Sequence, residues 1–303
     1  MRFVVDEESL DCDEASEQAV RDVLEGLLDV MSSLREDGED VGLISGWGGI
    51  NCWRDADVAA VLTAENPLSR DEGVLLLGLL GKGVAIDDEA DELDPDVEID
   101  GLRANSYGVS FAHSRVRRGC GMAAVVGLQR NRRGVTQVLA NGGKADVVLV
   151  AVPNDCLQLW RSLFAVEDIR EADFFDVATR AFPVLYFAPT LNFGSFAGGY
   201  AVRDAVVAHL CILNDDWQAA YVAEKGNSAR ISARIGIDVS IEGTTTRSSE
   251  KKMKLRDVEF RGETYRCEWH SKLEWNKNRI HFYPADPRID RPLIGIFCDH
   301  LAT

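Results

Sequence analysis

Three of the five histidines in the chain, His270, His281 and His300, lie within its last 34 residues. An imidazole titrates near neutral pH, so it can act as a general acid, a general base or a metal ligand. Two basic side chains, Lys272 and Arg279, accompany the first two histidines. A lysine and an arginine can hold a phosphate group while histidines move protons around it. The C-terminal segment is therefore the first candidate for chemistry.

Strand periodicity predicts that four of these residues share one surface. Residues 267–273 and 279–283 alternate polar and apolar side chains, as strands with one solvent-facing side do. If residues 274–278 form the loop of a hairpin, the two polar faces lie side by side. The residues on this face would be His270, Lys272, Arg279 and His281.

This composition suits the cleavage of RNA without a metal ion. We predict that His270 and His281 act as base and acid, and that Lys272 and Arg279 bind the phosphate. His300 is a fifth candidate catalytic residue, because it lies close to the end of the next predicted strand. Any solvent-facing sheet shows similar polar alternation, so non-catalytic ligand binding and plain surface pairing remain open, and the sequence does not decide whether the protein is an enzyme.

A metal site formed by the three C-terminal histidines and Glu268 is another alternative. The histidine spacings of 11 and 19 residues match no compact metal-binding signature. The chain also contains no phosphate loop, dinucleotide fingerprint or metalloprotease helix. We therefore predict no cofactor and no metal site, and a metal-dependent hydrolase stays an alternative function.

A second group of basic residues lies between predicted strands. Residues 242–252 are polar and are predicted to form a loop, either as a solvated connection or as a contact to a phosphate backbone. The candidate nucleic-acid-binding residues here are Arg247, Lys251, Lys252 and Lys254.

Charge is distributed unevenly along the chain. The net charge is −17, yet residues 1–100 contain 28 acidic and 6 basic residues, which leaves the remainder net positive. An acidic surface repels nucleic acid, so any phosphate contact must come from the later part of the chain. The acidic half is predicted to bind a basic protein partner, or only to keep the chain soluble.

Helical and strand periodicities predict an α+β protein with two domains. An acidic, mixed α/β domain is expected over residues 1–190. A basic domain, with a helix at 203–222 packed on an antiparallel sheet, is expected over residues 191–303. The predicted strands of that sheet are residues 229–241, 255–260, 265–273, 279–283 and 292–297.

The sequence favours a cytoplasmic protein. No apolar stretch reaches the roughly 18 to 20 residues of a membrane span, and the first eight residues do not resemble a secretory signal. The seven cysteines are scattered and contain no Cys-x-x-Cys pair, which fits a reducing compartment.

Three C-terminal runs resemble a pattern of bacterial anti-phage defence proteins: Glu-Trp-His-Ser-Lys-Leu, Asn-Arg-Ile-His-Phe and Ile-Gly-Ile-Phe-Cys-Asp-His-Leu. The helix followed by strands also loosely resembles the RelE/ParE-type toxins, some of which cut messenger RNA. The resemblance covers about the last 100 residues and implies roles for Lys272, Arg279 and His281. It implies a nucleic-acid-directed, RNA-cleaving component of a defence system. The alternative is a non-enzymatic subunit or regulator of a multi-protein defence complex.

Overall fold

The computed structural model describes residues 1–63, 67–86, 93–129 and 133–301. The chain separates into two compact units, Met1–Glu167 and Asp168–Thr303. The predicted boundary at residue 190 lies later, because the strand Tyr186–Phe187, assigned to the first domain, pairs with Leu293–Cys298 of the second unit. The predicted α+β class, with a C-terminal antiparallel sheet, is confirmed.

The first unit is built on an eight-stranded sheet with the order β5-β2-β1-β8-β10-β9-β6-β7. Its strands are β1 (Phe3–Val5), β2 (Val41–Leu43), β3 (Asn51–Trp53), β4 (Ala56–Asp57), β5 (Val84–Ala85), β6 (Asp96–Ile99), β7 (Leu102–Asn105), β8 (Ala124–Val126), β9 (Gly134–Ala140) and β10 (Gly143–Val150). Its helices are α1 (Glu17–Glu36), α2 (Val58–Thr63), α3 (Arg70–Leu80), α4 (Tyr107–Arg117) and α5 (Cys156–Val166).

Five neighbouring strands of this sheet, from β5 to β10, run parallel, while β3 and β4 form a separate hairpin. Ser69 caps α3 in a capping box: its hydroxyl accepts a hydrogen bond from the Glu72 amide, and the Glu72 carboxylate accepts one from the Ser69 amide. The sequence also predicts a strand at residues 108–112, but these residues belong to α4. Ser106 caps this helix, and Val109 and Ala112, three positions apart, are fully buried.

The second unit contains a five-stranded sheet with the order β11-β17-β16-β15-β12. Its strands are β11 (Tyr186–Phe187), β12 (Val239–Ile241), β13 (Asp257–Phe260), β14 (Glu263–Arg266), β15 (Trp269–Lys272), β16 (Arg279–Tyr283) and β17 (Leu293–Cys298), of which β13 and β14 form a separate hairpin. Its helices are α6 (Phe174–Ala181), α7 (Arg203–Asp215), α8 (Trp217–Ala223), α9 (Ser228–Ile235), α10 (Thr244–Arg247) and α11 (Glu250–Met253), and a 3-10 turn covers Lys254–Arg256.

The apolar face of this sheet packs on helices. Trp217 of α8 makes edge contacts with Trp269 and Phe282, which lie opposite each other on β15 and β16. Phe297 of β17 stacks on Phe196 with ring centroids 4.8 Å apart. The helix predicted at 203–222 is therefore present, although a break at Asp216 divides it into α7 and α8.

Two further expectations for the second unit are wrong. The first half of the predicted strand at 229–241 is α9, which Asn227 caps and which buries Ile231 and Ile235. The predicted loop at 242–252 contains α10 and α11. None of the helices in the part of the chain that the structure describes has both the length and the apolar character needed to cross a membrane.

Candidate functional site

Register brings together the four strand residues predicted to share a face. Strands β15 and β16 pair antiparallel, with His270 opposite His281 and Lys272 opposite Arg279. The two imidazole rings lie with their centroids 5.0 Å apart. The predicted hairpin and its polar face are therefore confirmed, while the catalytic roles of these residues stay a prediction.

The hairpin of β13 and β14 covers the His281 end of this face. Cys267, which follows β14, lies so close to Gly295 of β17 that a Cβ there would be 2.4 Å from its sulfur and 3.0 Å from Val258. The register between β16 and β17 shifts at this point, which leaves Gly295 outside the ladder. As a result His281 is fully buried and His270 is only 5% exposed.

A buried ion pair borders the two imidazoles. Glu242 follows β12, where Ser240 pairs with His270, and alternation turns its side chain to the same face. Its Oε1 accepts a hydrogen bond of 2.6 Å from Arg256 Nε, and the side chains of this pair are 3% and 0% exposed. The same oxygen lies 3.8 Å from His270 Nδ1 and 3.9 Å from His281 Nδ1.

Burial keeps both imidazoles neutral at neutral pH. It lowers the pKa of His270 to about 4, although the Glu242 carboxylate opposes the shift. Burial also lowers the pKa of His281 well below its usual value, and the neighbouring His270 and Arg256 act in the same direction. A neutral imidazole cannot serve as the general acid at neutral pH, and a fully buried ring does not contact a phosphodiester. This arrangement therefore does not favour proton transfer by His270 and His281 to an RNA substrate.

The other predicted catalytic residues lie toward the opposite, more open end of the face. Lys272 Nζ forms an ion pair of 2.9 Å with Asp238. Arg279 is partly exposed, and no carboxylate of the described residues lies within 4.0 Å of it. His300 is exposed beyond β17, and its Nδ1 lies 2.8 Å from the Leu301 carbonyl. Of these three residues, only Lys272 and Arg279 lie opposite each other, in the pairing of β15 with β16.

The candidate nucleic-acid-binding residues fall on one short helical segment, residues 243–255, which we call the basic segment. It contains α10, α11 and the start of the 3-10 turn. Arg247, Lys251 and Lys254 are exposed, and within the described ranges no carboxylate lies within 4.0 Å of any of the three. Lys252 is partly buried. The acid of the segment, Glu250, is paired with Arg266 at 2.9 Å.

The buried ion pair connects the two ends of the basic segment. Glu242 directly precedes it and Arg256 directly follows it. Arg256 also donates a hydrogen bond of 2.8 Å to the carbonyl of Lys252, inside the segment. Two side chains of the segment itself, those of Thr246 and Met253, are buried. The exposed cations are thus presented by a segment that is fixed at both ends.

The first unit has a depression at the carboxyl ends of β1 and β2, the edge of a parallel sheet where ligands commonly bind. Residues Glu7, Glu8, Asp11, Ile44, Ile50, Asn51, Asn105 and Tyr107 form its lining. Glu7 accepts hydrogen bonds at the start of α4, including one of 3.0 Å from the Gly108 amide, and burial raises its pKa. Three carboxylates make this depression unsuited to a phosphate group.

Sequence reasoning missed Glu242 and Arg256. The sequence does contain a signal for Glu242, because it continues the alternation of Val239, Ser240 and Ile241 beyond the end of β12. Arg256 carries no such signal, since charged residues are almost never fully buried unless paired. The sequence suggests Glu268 as a possible metal ligand beside the histidines, but the carboxylate with an oxygen within 4.8 Å of ring nitrogens of His270 and His281 is that of Glu242.

Comparison of the chain with protein-family models, with curated proteins and with solved structures finds no match. The resemblance to defence proteins and toxins therefore stays a prediction.

Proposed function

We propose that the second unit binds nucleic acid through the phosphate backbone, and that the basic segment makes the contacts. The observation that supports this proposal best is the set of exposed cations Arg247, Lys251 and Lys254, none of which has a carboxylate within 4.0 Å among the described residues. The three cations lie within eight residues of one another in a chain whose net charge is −17. Unbalanced cations grouped on one segment provide the charge that phosphate contacts need.

Anchoring of the segment makes these contacts less costly. A mobile loop would lose conformational freedom on binding, at a cost of about 1–2 kcal/mol per ordered residue. The basic segment is already fixed by the Glu242–Arg256 pair and by buried Met253. Because the cations are already held in place, a smaller ordering cost offsets their electrostatic attraction to the phosphates.

The proposal covers binding and does not assign cleavage to His270 and His281. Both imidazoles are buried and neutral, which removes the acid that the predicted metal-free mechanism requires. Phosphate contacts fix a protein on nucleic acid without reading its sequence. We therefore expect little sequence preference.

Fluorescence anisotropy with labelled single-stranded RNA, single-stranded DNA and duplex DNA tests the proposal. The variant replaces Arg247, Lys251, Lys252 and Lys254 with glutamine. A matched control replaces four exposed cations outside the segment with glutamine, namely Arg70, Lys82, Lys144 and Arg230. We expect the first variant to lose binding and the control to retain it. Equal binding by wild type and both variants, or no binding by the wild type at low salt, would reject the proposal.

The cellular role proposed for this activity is that of a component of an anti-phage defence system. Its support is the resemblance of the three C-terminal runs together with the basic segment. The acidic first unit would then bind a basic protein partner, which the excess of 28 acidic over 6 basic residues in positions 1–100 favours. Affinity purification from the native cells tests this second part. Recovery of a basic partner that high salt releases supports it, and recovery of the chain alone opposes it.

A further inference from the structure

Glu242, His270 and His281 form a compact cluster of potential metal ligands. Each offers one ligand atom, and the three atoms all lie within 4.8 Å of one another. Sheet register holds His270 and His281 opposite each other, and Glu242 extends from the neighbouring strand. From these contacts we propose that the cluster is a site for a first-row transition-metal ion, with two imidazoles and one carboxylate as protein ligands. The proposal does not depend on nucleic-acid binding.

The hydrogen bonds of the two imidazoles support this assignment. His281 Nδ1 lies 3.3 Å from the carbonyl oxygen of Cys267, which can only accept, so this nitrogen carries the proton. The lone pair is therefore on Nε2, which is buried and has no hydrogen-bond partner among the described residues. Metal-binding histidines commonly have this arrangement, with a carbonyl that fixes the tautomer and leaves the other nitrogen available.

His270 also has one ring nitrogen with a hydrogen-bond partner and one without. Its Nε2 lies 3.0 Å from the Ser240 hydroxyl. Its Nδ1 is buried, has no hydrogen-bond partner in the described part of the chain, and lies 3.8 Å from Glu242 Oε1. A buried polar atom without a partner costs about 1–3 kcal/mol and calls for a water, an ion or a strained alternative. A single cation bound in the cluster would give both of these nitrogens a partner.

The ligand types determine which cation fits. Imidazole nitrogen suits zinc, copper and nickel, whereas magnesium and calcium require oxygen ligands. Zinc binds histidine nitrogen at about 2.0–2.1 Å, which places the ligand atoms of a tetrahedral site roughly 3.3–3.4 Å apart. The ligand atoms, which now lie within 4.8 Å of one another, must therefore move closer together to bind the ion.

Arg256 sets the affinity of this site. Its guanidinium already neutralises Glu242 at 2.6 Å, so a divalent ion enters beside an existing positive charge. The ion must share Glu242 with Arg256, or displace it. We therefore expect zinc binding that is weaker than in a site with an unshared carboxylate, and that strengthens in an Arg256→Gln variant if the fold is retained.

Isothermal titration calorimetry of the chelator-treated protein with Zn²⁺ tests the proposal. We expect one bound equivalent, no binding of Mg²⁺ or Ca²⁺, and loss of Zn²⁺ binding in His270→Gln and His281→Gln. Ser240→Ala removes only a supporting hydroxyl and should weaken binding by about 10-fold. His209→Gln is the matched control, because His209 contacts Ser271 on the opposite face of the sheet, and it should bind Zn²⁺ as the wild type does.

Substitution by Co²⁺ gives a measurement that needs no variant. We expect the absorption bands of a nitrogen- and oxygen-ligated ion, without the intense near-ultraviolet band of a cysteine thiolate ligand. The proposal is overturned if the wild type binds no transition metal, so that the cluster holds water only. It is also overturned if the Co²⁺ spectrum shows thiolate ligation, or if Zn²⁺ binding survives the combined His270→Gln and His281→Gln replacement in a folded protein.

Discussion

Arg256 donates a hydrogen bond of 2.6 Å from its Nε to Glu242 Oε1, and both side chains are buried. The pair connects two parts of the second unit that have different chemistry, the basic segment on the surface and the imidazole pair inside. A buried ion pair contributes little net stability compared with apolar residues of the same size, but loss of one partner leaves an uncompensated charge. Its role here is therefore to fix the position of the segment.

The first prediction concerns this ion pair. Arg256→Met should lower the free energy of unfolding by about 3–5 kcal/mol, because Glu242 would remain buried without its cation. Glu242→Met should cost a similar amount. The double variant should cost clearly less than the sum, which urea denaturation of all four proteins measures. As a surface control, Lys277→Gln removes an ion pair to Glu274 that is about half exposed, and it should change the free energy by less than about 1 kcal/mol. Additive losses in the double variant would show that the two residues act independently.

The second prediction concerns the close approach of Gly295 and Cys267. Gly295→Ala should destabilise the protein by about 1–3 kcal/mol, because the new Cβ would lie 2.4 Å from the Cys267 sulfur. Adding Cys267→Ala should recover part of this loss, which thermal unfolding can measure. Gly78→Ala is the control, since no atom lies within 4 Å of a Cβ at that position. Equal losses in the single and double variants would contradict the contact.

The third prediction concerns pH. Burial lowers the pKa of His209 below its usual 6.5, so the folded state keeps this imidazole neutral while the unfolded chain takes up a proton as the pH falls below about 6.5. The free energy of unfolding should therefore decrease as the pH falls through this range. Urea denaturation at pH 7.5 and pH 5.0, with a chelator present, should show a smaller decrease for His209→Gln than for the wild type. An identical decrease would mean that His209 is not desolvated.

The fourth prediction concerns the salt dependence of nucleic-acid binding. Each phosphate contact contributes about 0.7 to the slope of log affinity against log salt for single strands. Lys251→Gln and Lys254→Gln should each reduce the slope by roughly this amount, and should weaken binding to all sequences alike. Lys272→Gln should leave the slope unchanged, because Asp238 already neutralises Lys272 at 2.9 Å. If all three variants have the same salt slope, Lys251 and Lys254 do not make the phosphate contacts.

Local patterns account for the parts of the structure that were predicted correctly. Alternation in β15 and β16 was sufficient to predict that His270, Lys272, Arg279 and His281 share a face, because a strand has a strict period of two. A serine directly before a helical segment is a common N-cap, which is the role of Ser69 at the start of α3. These features depend on neighbours within a few residues.

The accessibility of the site could not be predicted in the same way. His281 is buried because Cys267 and Val258 cover Gly295, from which they are 28 and 37 positions distant in the sequence. Polar residues on alternating positions are usually solvent-facing, so the sequence pattern favoured an exposed face. The α9 helix was mistaken for a strand for a related reason, since β-branched residues spaced four apart, Ile231 and Ile235, also suit a strand.

The most direct test of the central proposal is to map where nucleic acid contacts the chain. Photo-crosslinking to RNA that contains 4-thiouridine, followed by mass spectrometry of the crosslinked peptides, gives this map for the full-length protein. The proposal predicts crosslinks concentrated in the basic segment, residues 243–255, and their loss in the variant that lacks Arg247, Lys251, Lys252 and Lys254. Crosslinks confined to residues 1–167, or crosslinks that persist unchanged in that variant, would contradict it.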